Sequence, residues 1–293
     1  MKNTQHMPVY APTDPDESMD AIGQRIQHLA LERPDHIALI DGETQLSWQA
    51  LVRQANRIAN RLRSAGLKQG DAVAGLSENS IHYVALYLGT LVAGGCMVPL
   101  SGMASGSSLA LMLNDCRARF LFVSKKNIEL FEGIADKLDT LGRDQCIRLD
   151  GHSPGMRQDL ESWLGDIGAE ARPATVTLDD PFNVIYSSGT TGTPKGILHD
   201  HRFRQRQMVR MSRFGLDGNA VNLVSTPMYS NTTLVSVLPT LFYGGTLVLM
   251  AKFDARRFLE MAERYRVTHA MLVPVQYQRI LADPEFGRFD LSA

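Results

Sequence analysis

The chain has 293 residues, 44% hydrophobic and 21% charged, with a formal net charge of −1. That is ordinary globular composition, long enough for two domains or one large one. A balance so close to neutral excludes an electrostatic case for nucleic acid or for an acidic membrane surface.

Residues 1–18 are polar and predict a loose segment, although Val9 and Tyr10 could pack down; no apolar core of a signal peptide occurs there. Residues 19–293 then alternate strand and helix, which predicts an α/β fold of βαβ-type layered sheet with flanking helices. Residues 36–40 read as a strand. Residues 46–65 read as an amphipathic helix, with Leu51, Ala55, Ile58, Ala59 and Leu62 on one face, Ser47 as its N-cap and Gly66 as its stop. Strands are predicted at 72–76, 96–99, 119–123 and 146–149. Residues 151–177 contain Gly, Pro and Asp without a sustained period and predict a surface excursion. Further strands are predicted at 182–186, 221–225, 246–250 and 269–273, with a helix at 255–265. The cysteines Cys96, Cys116 and Cys146 lie far apart without metal or redox spacing. They read as buried thiols in a reducing compartment.

Two uncharged runs, 83–100 and 233–250, approach the length of a membrane span. Each is broken by a Gly-Gly pair and contains a proline, so each reads as buried helix, glycine turn and buried strand. The protein is therefore expected to be soluble and cytoplasmic. The runs also resemble each other: residues 88–98 lie over residues 238–248, with Gly94-Gly95 matching Gly244-Gly245. Two α/β lobes of similar topology would leave such a match.

The densest chemistry lies at Tyr186-Ser187-Ser188-Gly189-Thr190-Thr191-Gly192-Thr193-Pro194-Lys195-Gly196, after the apolar strand around Val184 and Ile185. Two glycines let the backbone approach an anion and turn its N–H groups inward. The hydroxyls of Ser187, Ser188, Thr190, Thr191 and Thr193 can donate to phosphate oxygens, and Lys195 adds a compact positive charge. The bland alternative is a Ser/Gly-rich surface hairpin. It is not a Walker loop, because Pro194 breaks that register and residues 197–199 read as a second strand.

This stretch resembles the signature loop of the AMP-forming adenylate synthetases, which include acyl-CoA synthetases, peptide-synthetase adenylation domains and luciferases. Gly70-Asp71, Asn79 opening a helix, Ala93-Gly94-Gly95 before a strand ending in Pro99, and Thr226-Pro227-Met228-Tyr229 resemble other segments of that family. The resemblance implies two lobes, one of residues near 75–195 and one of residues near 20–70 with 200–293. It implies ATP, Mg2+ and coenzyme A, with a small-molecule carboxylic acid as substrate. Ser187, Ser188, Gly189, Thr190, Thr191, Gly192, Thr193 and Lys195 would hold the phosphates, and Lys195, Thr190 and Thr191 would act in catalysis. Tyr229, Ser230 and Asn231 would border the acid. The family often has a histidine where this chain has Ser230, which puts that contact in doubt. A buried Tyr with a Ser/Asn helix cap is an equal and compatible reading.

His199-Asp200-His201 invites a metal reading, but no third and fourth ligands lie nearby, and no metal site is expected. Asp200 reads as the N-cap of a helix from His201 to about Met211, and His201 resembles the family histidine that helps to seat the loop. Arg202, Arg204, Arg206, Arg210 and Arg213 read as a solvated helix rather than a nucleic-acid patch, since no aromatic ladder accompanies them. The family's Gly-Gly-Ala-Pro stretch, Tyr-Gly-x-Thr-Glu, ribose-binding Asp and catalytic lysine do not occur in the chain. The implied adenine wall and magnesium ligand would therefore lie beyond Ala293, leaving either a fragment or a naturally short chain. These residues alone are expected not to catalyse ligation, and an open edge at 269–273 is expected to promote self-association. The expected function is that of an acyl-CoA synthetase. The alternatives are an adenylation domain loading a carrier protein, or a non-catalytic phosphate-binding module.

Overall fold

Alternating apolar strands need cover on both faces, and helices between them supply it. A computed structural model describes residues 20–151, 156, 158–187 and 194–293. In chain order these form α1 (Ile22–Glu32), β1 (Ile37–Asp41), β2 (Thr44–Ser47), α2 (Trp48–Ser64), β3 (Ala72–Leu76), α3 (Ile81–Val92), β4 (Cys96–Leu100), α4 (Gly106–Asp115), β5 (Phe120–Val123), α5 (Ile128–Glu132) and β6 (Cys146–Arg148). They continue with β7 (Gln158–Asp159), α6 (Leu160–Leu164), β8 (Pro181–Ser187), β9 (Lys195–Asp200), α7 (His201–Ser212), β10 (Val221–Val224), α8 (Asn231–Tyr243), β11 (Thr246–Leu249), α9 (Ala255–Arg264) and α10 (Pro274–Leu281).

Among the described residues these strands make two sheets. One has the order β7-β6-β5-β3-β4-β8-β9 and is parallel except for the β8–β9 hairpin. The other has the order β10-β11-β1-β2 and is parallel except for β2. Side-chain alternation sorts the layers. Ala72, Ala74 and Leu76 of β3 turn to a core shared with α4 and α5, while Val73 turns to the central core. Leu247 and Leu249 of β11 face that same central core, and Val248 faces α9 and α10. Helices α1, α2, α3 and α8 fill the central layer between the two sheets. No described helix is long and apolar enough to cross a membrane.

The internal match holds in three dimensions. α3 ends at Gly94 (φ +83°) and α8 at Gly244 (φ +89°), both left-handed positions that disfavour a side chain. Gly95 N donates to Thr90 O at 2.9 Å, and Gly245 N donates to Thr240 O at 2.8 Å. The strand that follows each pair lies parallel to the strand before the helix. A Cβ on Gly244 would also meet Leu29 Cδ2 at 2.6 Å. Gly244→Ala should therefore cost about 1–3 kcal/mol and lower Tm by several degrees. Gly287→Ala, with nothing within 4 Å of its Cβ, is the control. Equal melting of the two variants would refute the argument.

Three expectations are corrected. The helix predicted over 46–65 begins at Trp48, because Gly42 (φ +60°) folds residues 44–47 back as β2 against β1. Ser47 is its N-cap, accepting from Ala50 N at 3.3 Å. The excursion over 151–177 contains β7 and α6, whose Leu160, Trp163 and Leu164 enter the central core; Asp159 caps α6. The strand over 269–273 reduces to a single bridge of His269 to Asn222, and Pro274 then starts α10. The open strand edge expected to drive self-association is not formed there. Cys96 and Cys146 are buried and Cys116 is half-buried. Burial pushes their thiols up to about 12, 12 and 11 respectively, as inert structural cysteines require.

Candidate functional site

The described parts of the site are the stem of a hairpin, a turn, and the clamp that holds the turn. β8 and β9 pair antiparallel from Pro181↔Asp200 to Ser187↔Lys195. Their Ser187–Lys195 end lies at the carboxyl edge of the larger sheet, where open α/β sheets bind ligands. Ser187 and Lys195 face each other there, both exposed. Ser188, Gly189, Thr190, Thr191, Gly192 and Thr193 lie outside the described residues. Tyr186 ties the hairpin to α4: its hydroxyl donates to Asp115 Oδ2 at 2.5 Å and lies 3.0 Å from Met112 O. Its ring crosses Gly196, where a Cβ would come within 3.2 Å of the ring. A glycine opposite a flat aromatic is what this approach requires.

Asn79 joins the two sheets. It follows β3, and its Nδ2 donates to Val224 O, Thr226 O and Met250 O at 3.2, 2.9 and 3.3 Å. Its Oδ1 accepts from Met228 N at 3.0 Å. One buried amide thus collects the carboxyl ends of β3, β10 and β11 and sets the turn that carries Tyr229. The sequence marked Asn79 as the start of a helix and carried no sign of this clamp, because its partners are backbone groups about 150 residues away.

Tyr229, Ser230 and Asn231 are half-buried at the start of α8. Ser230 occupies the N-cap position, but its hydroxyl makes no capping bond. Asn231 Oδ1 accepts from Arg204 Nη1 at 2.9 Å. This corrects the solvated reading of the arginine cluster. Arg204 is completely buried, whereas Arg206, Arg210 and Arg213 are exposed and Arg202 pairs with Asp179 at 2.8 Å. The helix packs its first turn on β8 and β9, where neutral acceptors meet the guanidinium.

Asp200 caps α7 as expected, accepting from Phe203 N at 2.7 Å. His201 sits at the foot of the hairpin, at the opposite end of β8 and β9 from Ser187 and Lys195. It packs edge-on against Phe182 with 5.0 Å between ring centroids. His199 stacks on Phe203 at 4.5 Å. Burial pushes both imidazoles down to about 4, with Arg204 adding to the effect at His199. The unfolded chain takes up these protons below about 6.5, whereas the fold resists until about 4. Their stabilising contribution is thus complete above pH 6.5 and fades as the pH falls towards 4. For His201 the loss should be on the order of 1–3 kcal/mol. Melting at pH 7 and pH 4.5 should show a smaller decline in His201→Gln than in wild type; parallel declines would contradict it.

Two sheets around a shared helical layer, with the β8–β9 hairpin at the carboxyl edge of the larger one, define a layered α/β fold. The chain belongs to the AMP-binding enzyme family, whose model matches residues 26–293. It is 31% identical over 263 residues to a feruloyl-CoA synthase of an Amycolatopsis species, covering 89% of this chain and 50% of that protein. It is 28% identical over 271 residues to the fatty acid–[acyl-carrier-protein] ligase ScoC of Streptomyces coeruleorubidus, covering 90% and 50%. Its fold matches the anthranilate CoA ligase AuaEII, solved in complex with anthranoyl-AMP, with a TM-score of 0.85 at 22% identity over 95% of this chain and 55% of that one. The chain spans about half the length of the curated relatives it matches.

Proposed function

We propose that the protein containing these residues activates a carboxylic acid with ATP and passes the acyl group to the thiol of coenzyme A. In the first step a carboxylate oxygen attacks the α-phosphorus, and pyrophosphate leaves with its electron pair. In the second the thiol sulfur attacks the acyl carbon, AMP leaves, and the thiol proton is lost. The observation that carries this reading is the Asn79 clamp. It fixes the Tyr229 turn just beyond the carboxyl ends of β10 and β11, and in this reading that turn and the Ser187–Lys195 end of the β8–β9 hairpin border one cleft. Residues near 75–195 would form one lobe of that cleft, and residues near 20–70 with 200–293 the other.

In this reading Ser187, Ser188, Thr190, Thr191, Thr193 and Lys195, with the backbone at Gly189 and Gly192, receive the β- and γ-phosphates. Positioning and charge neutralisation supply most of the rate in such chemistry. Magnesium enters as the counter-ion of ATP and neutralises charge on its phosphates. Tyr229, Ser230 and Asn231 border the acid, which an uncharged wall allows to be aliphatic or aromatic. The likeness to a carrier-protein ligase keeps a carrier thiol as the second possible acceptor. A cytoplasmic setting, where ATP and reduced thiols are available, goes with this reading.

The test is acid-dependent exchange of labelled pyrophosphate into ATP, run over a panel of aliphatic and aromatic carboxylic acids. Thioester formation is then compared with coenzyme A and with a carrier protein. Exchange that rises with particular acids is the expected result. Exchange indifferent to every acid would refute acid activation.

A further inference from the structure

Five elements meet around one buried guanidinium. Arg204, in the first turn of α7, is 0% exposed. Its Nε and Nη2 donate to Asn183 Oδ1 on β8 at 3.1 and 3.0 Å. Its Nη1 donates to Gln207 Oε1 at 2.7 Å and to Asn231 Oδ1, at the start of α8, at 2.9 Å. Nη2 also reaches His199 Nδ1 on β9 at 3.2 Å. An arginine only donates, so Nδ1 is the acceptor and the neutral His199 carries its proton on Nε2. Asn183 Nδ2 passes the network on to the Tyr87 hydroxyl of α3 at 3.0 Å.

All five N–H groups of the fork are thereby engaged, and each acceptor is neutral. Arg204 has no carboxylate partner among the described residues. A buried cation without a countercharge is a costly way to fill space, and an apolar side chain would pack there more cheaply. What the fork supplies is a rigid geometry. On one side it grips the stem of the hairpin that ends in Ser187 and Lys195. On the other it grips the first residue of α8, next to Tyr229 and Ser230.

We propose that Arg204 is a positioning residue that braces the phosphate hairpin against the acid-binding end of α8. The inference rests on the reading of those two parts given above. Arg204 touches no substrate in this scheme, since it has no N–H left to offer. Adenylation needs the carboxylate oxygen in line with the α-phosphorus, and the two reactants are held by different elements. Errors near 1 Å in such settings cost about 10²-fold in rate. The brace holds the distance between the elements. A lysine cannot replace it, because one ammonium cannot span Asn183 and Asn231 with a planar fork.

The test is amide hydrogen exchange on the full 293-residue chain, with ATP and magnesium as the probe. In wild type, saturating ATP should slow exchange at residues 187–196 and also at residues 231–238. In Arg204→Lys and Arg204→Met the slowing at the hairpin should persist while that at α8 is lost. A change of about tenfold is expected at α8, within the usual 5- to 150-fold range of coupling between sites. Asn231→Leu cuts only the α8 side of the network and should give the same loss. It also serves if the Arg204 variants fail to fold. Slowing at α8 that survives in the folded variants overturns the brace, as does slowing confined to the hairpin in wild type. No slowing at the hairpin in wild type overturns the phosphate reading, and the brace falls with it. The two failures are thus told apart.

Discussion

Lys195→Ala is expected to lower kcat for acyl-adenylate formation by about 10²-fold, close to 3 kcal/mol of transition-state stabilisation. Lys195 is the first residue of β9 and is exposed, opposite Ser187. Its backbone is held by the hairpin ladder, so truncating the side chain leaves the scaffold in place. The charge it is proposed to meet grows as the bond to pyrophosphate breaks, so the loss should fall mainly on kcat rather than on the KM for ATP. The double substitution Thr190→Ala/Thr191→Ala should act in the same direction by removing donors to the same oxygens. Acid-dependent pyrophosphate exchange measures the effect, and a melting curve guards against trivial unfolding. Wild-type exchange in both variants would end the assignment of this loop.

Asn79→Ala should be among the most destabilising single changes in the chain, by about 3 kcal/mol or more. The substitution strands the carbonyls of Thr226 and Met250 and the N–H of Met228 in the interior of a 4%-exposed site, while Val224 O keeps its bond from Met250 N at 3.0 Å. Asn79→Asp is the sharper probe. It keeps the shape and the acceptor for Met228 N, but it turns a carboxylate oxygen towards three carbonyl oxygens. Both variants should melt well below wild type. In both, acid-dependent exchange should decline even at temperatures where the fold persists, because the Tyr229 turn loses its setting. An Asn79→Asp protein with wild-type melting and activity would show that the clamp is incidental.

What the sequence disclosed follows from how local each signal is. Strands such as Ala72–Leu76 and Thr246–Leu249 are short apolar runs bounded by turn residues, and both were legible. The helix over Trp48–Ser64 shows a clean apolar stripe, and only its start shifted, because Leu46 fits a strand as well as a helix. Leu160–Leu164 is a single turn of helix with too few residues to display a period, so its buried Trp163 went unread. The hydroxyls and glycines of residues 187–196 are adjacent in the chain, so the resemblance to the AMP-binding family, which the family match bears out, could be drawn from one stretch. Asn79 and Arg204 are the opposite case. Their partners come from several elements brought together only by folding, and nothing near Arg204 separates it from its exposed neighbours Arg206 and Arg210. The identity of a polar residue is local information, whereas the identity of its partner is tertiary.

The central helix has a consequence for how the molecule assembles. Every residue of α3 except His82 is buried, and the helix lies between the two sheets. A segment of that composition has no side to show to water, so it cannot rest stably against one sheet while the other is absent. Neither half can then act as a free-standing folding unit: the last sheet to dock seals a seam that would otherwise be sticky. Folding and unfolding should be all-or-none across that seam, with the α3 amides opening only when the whole molecule does.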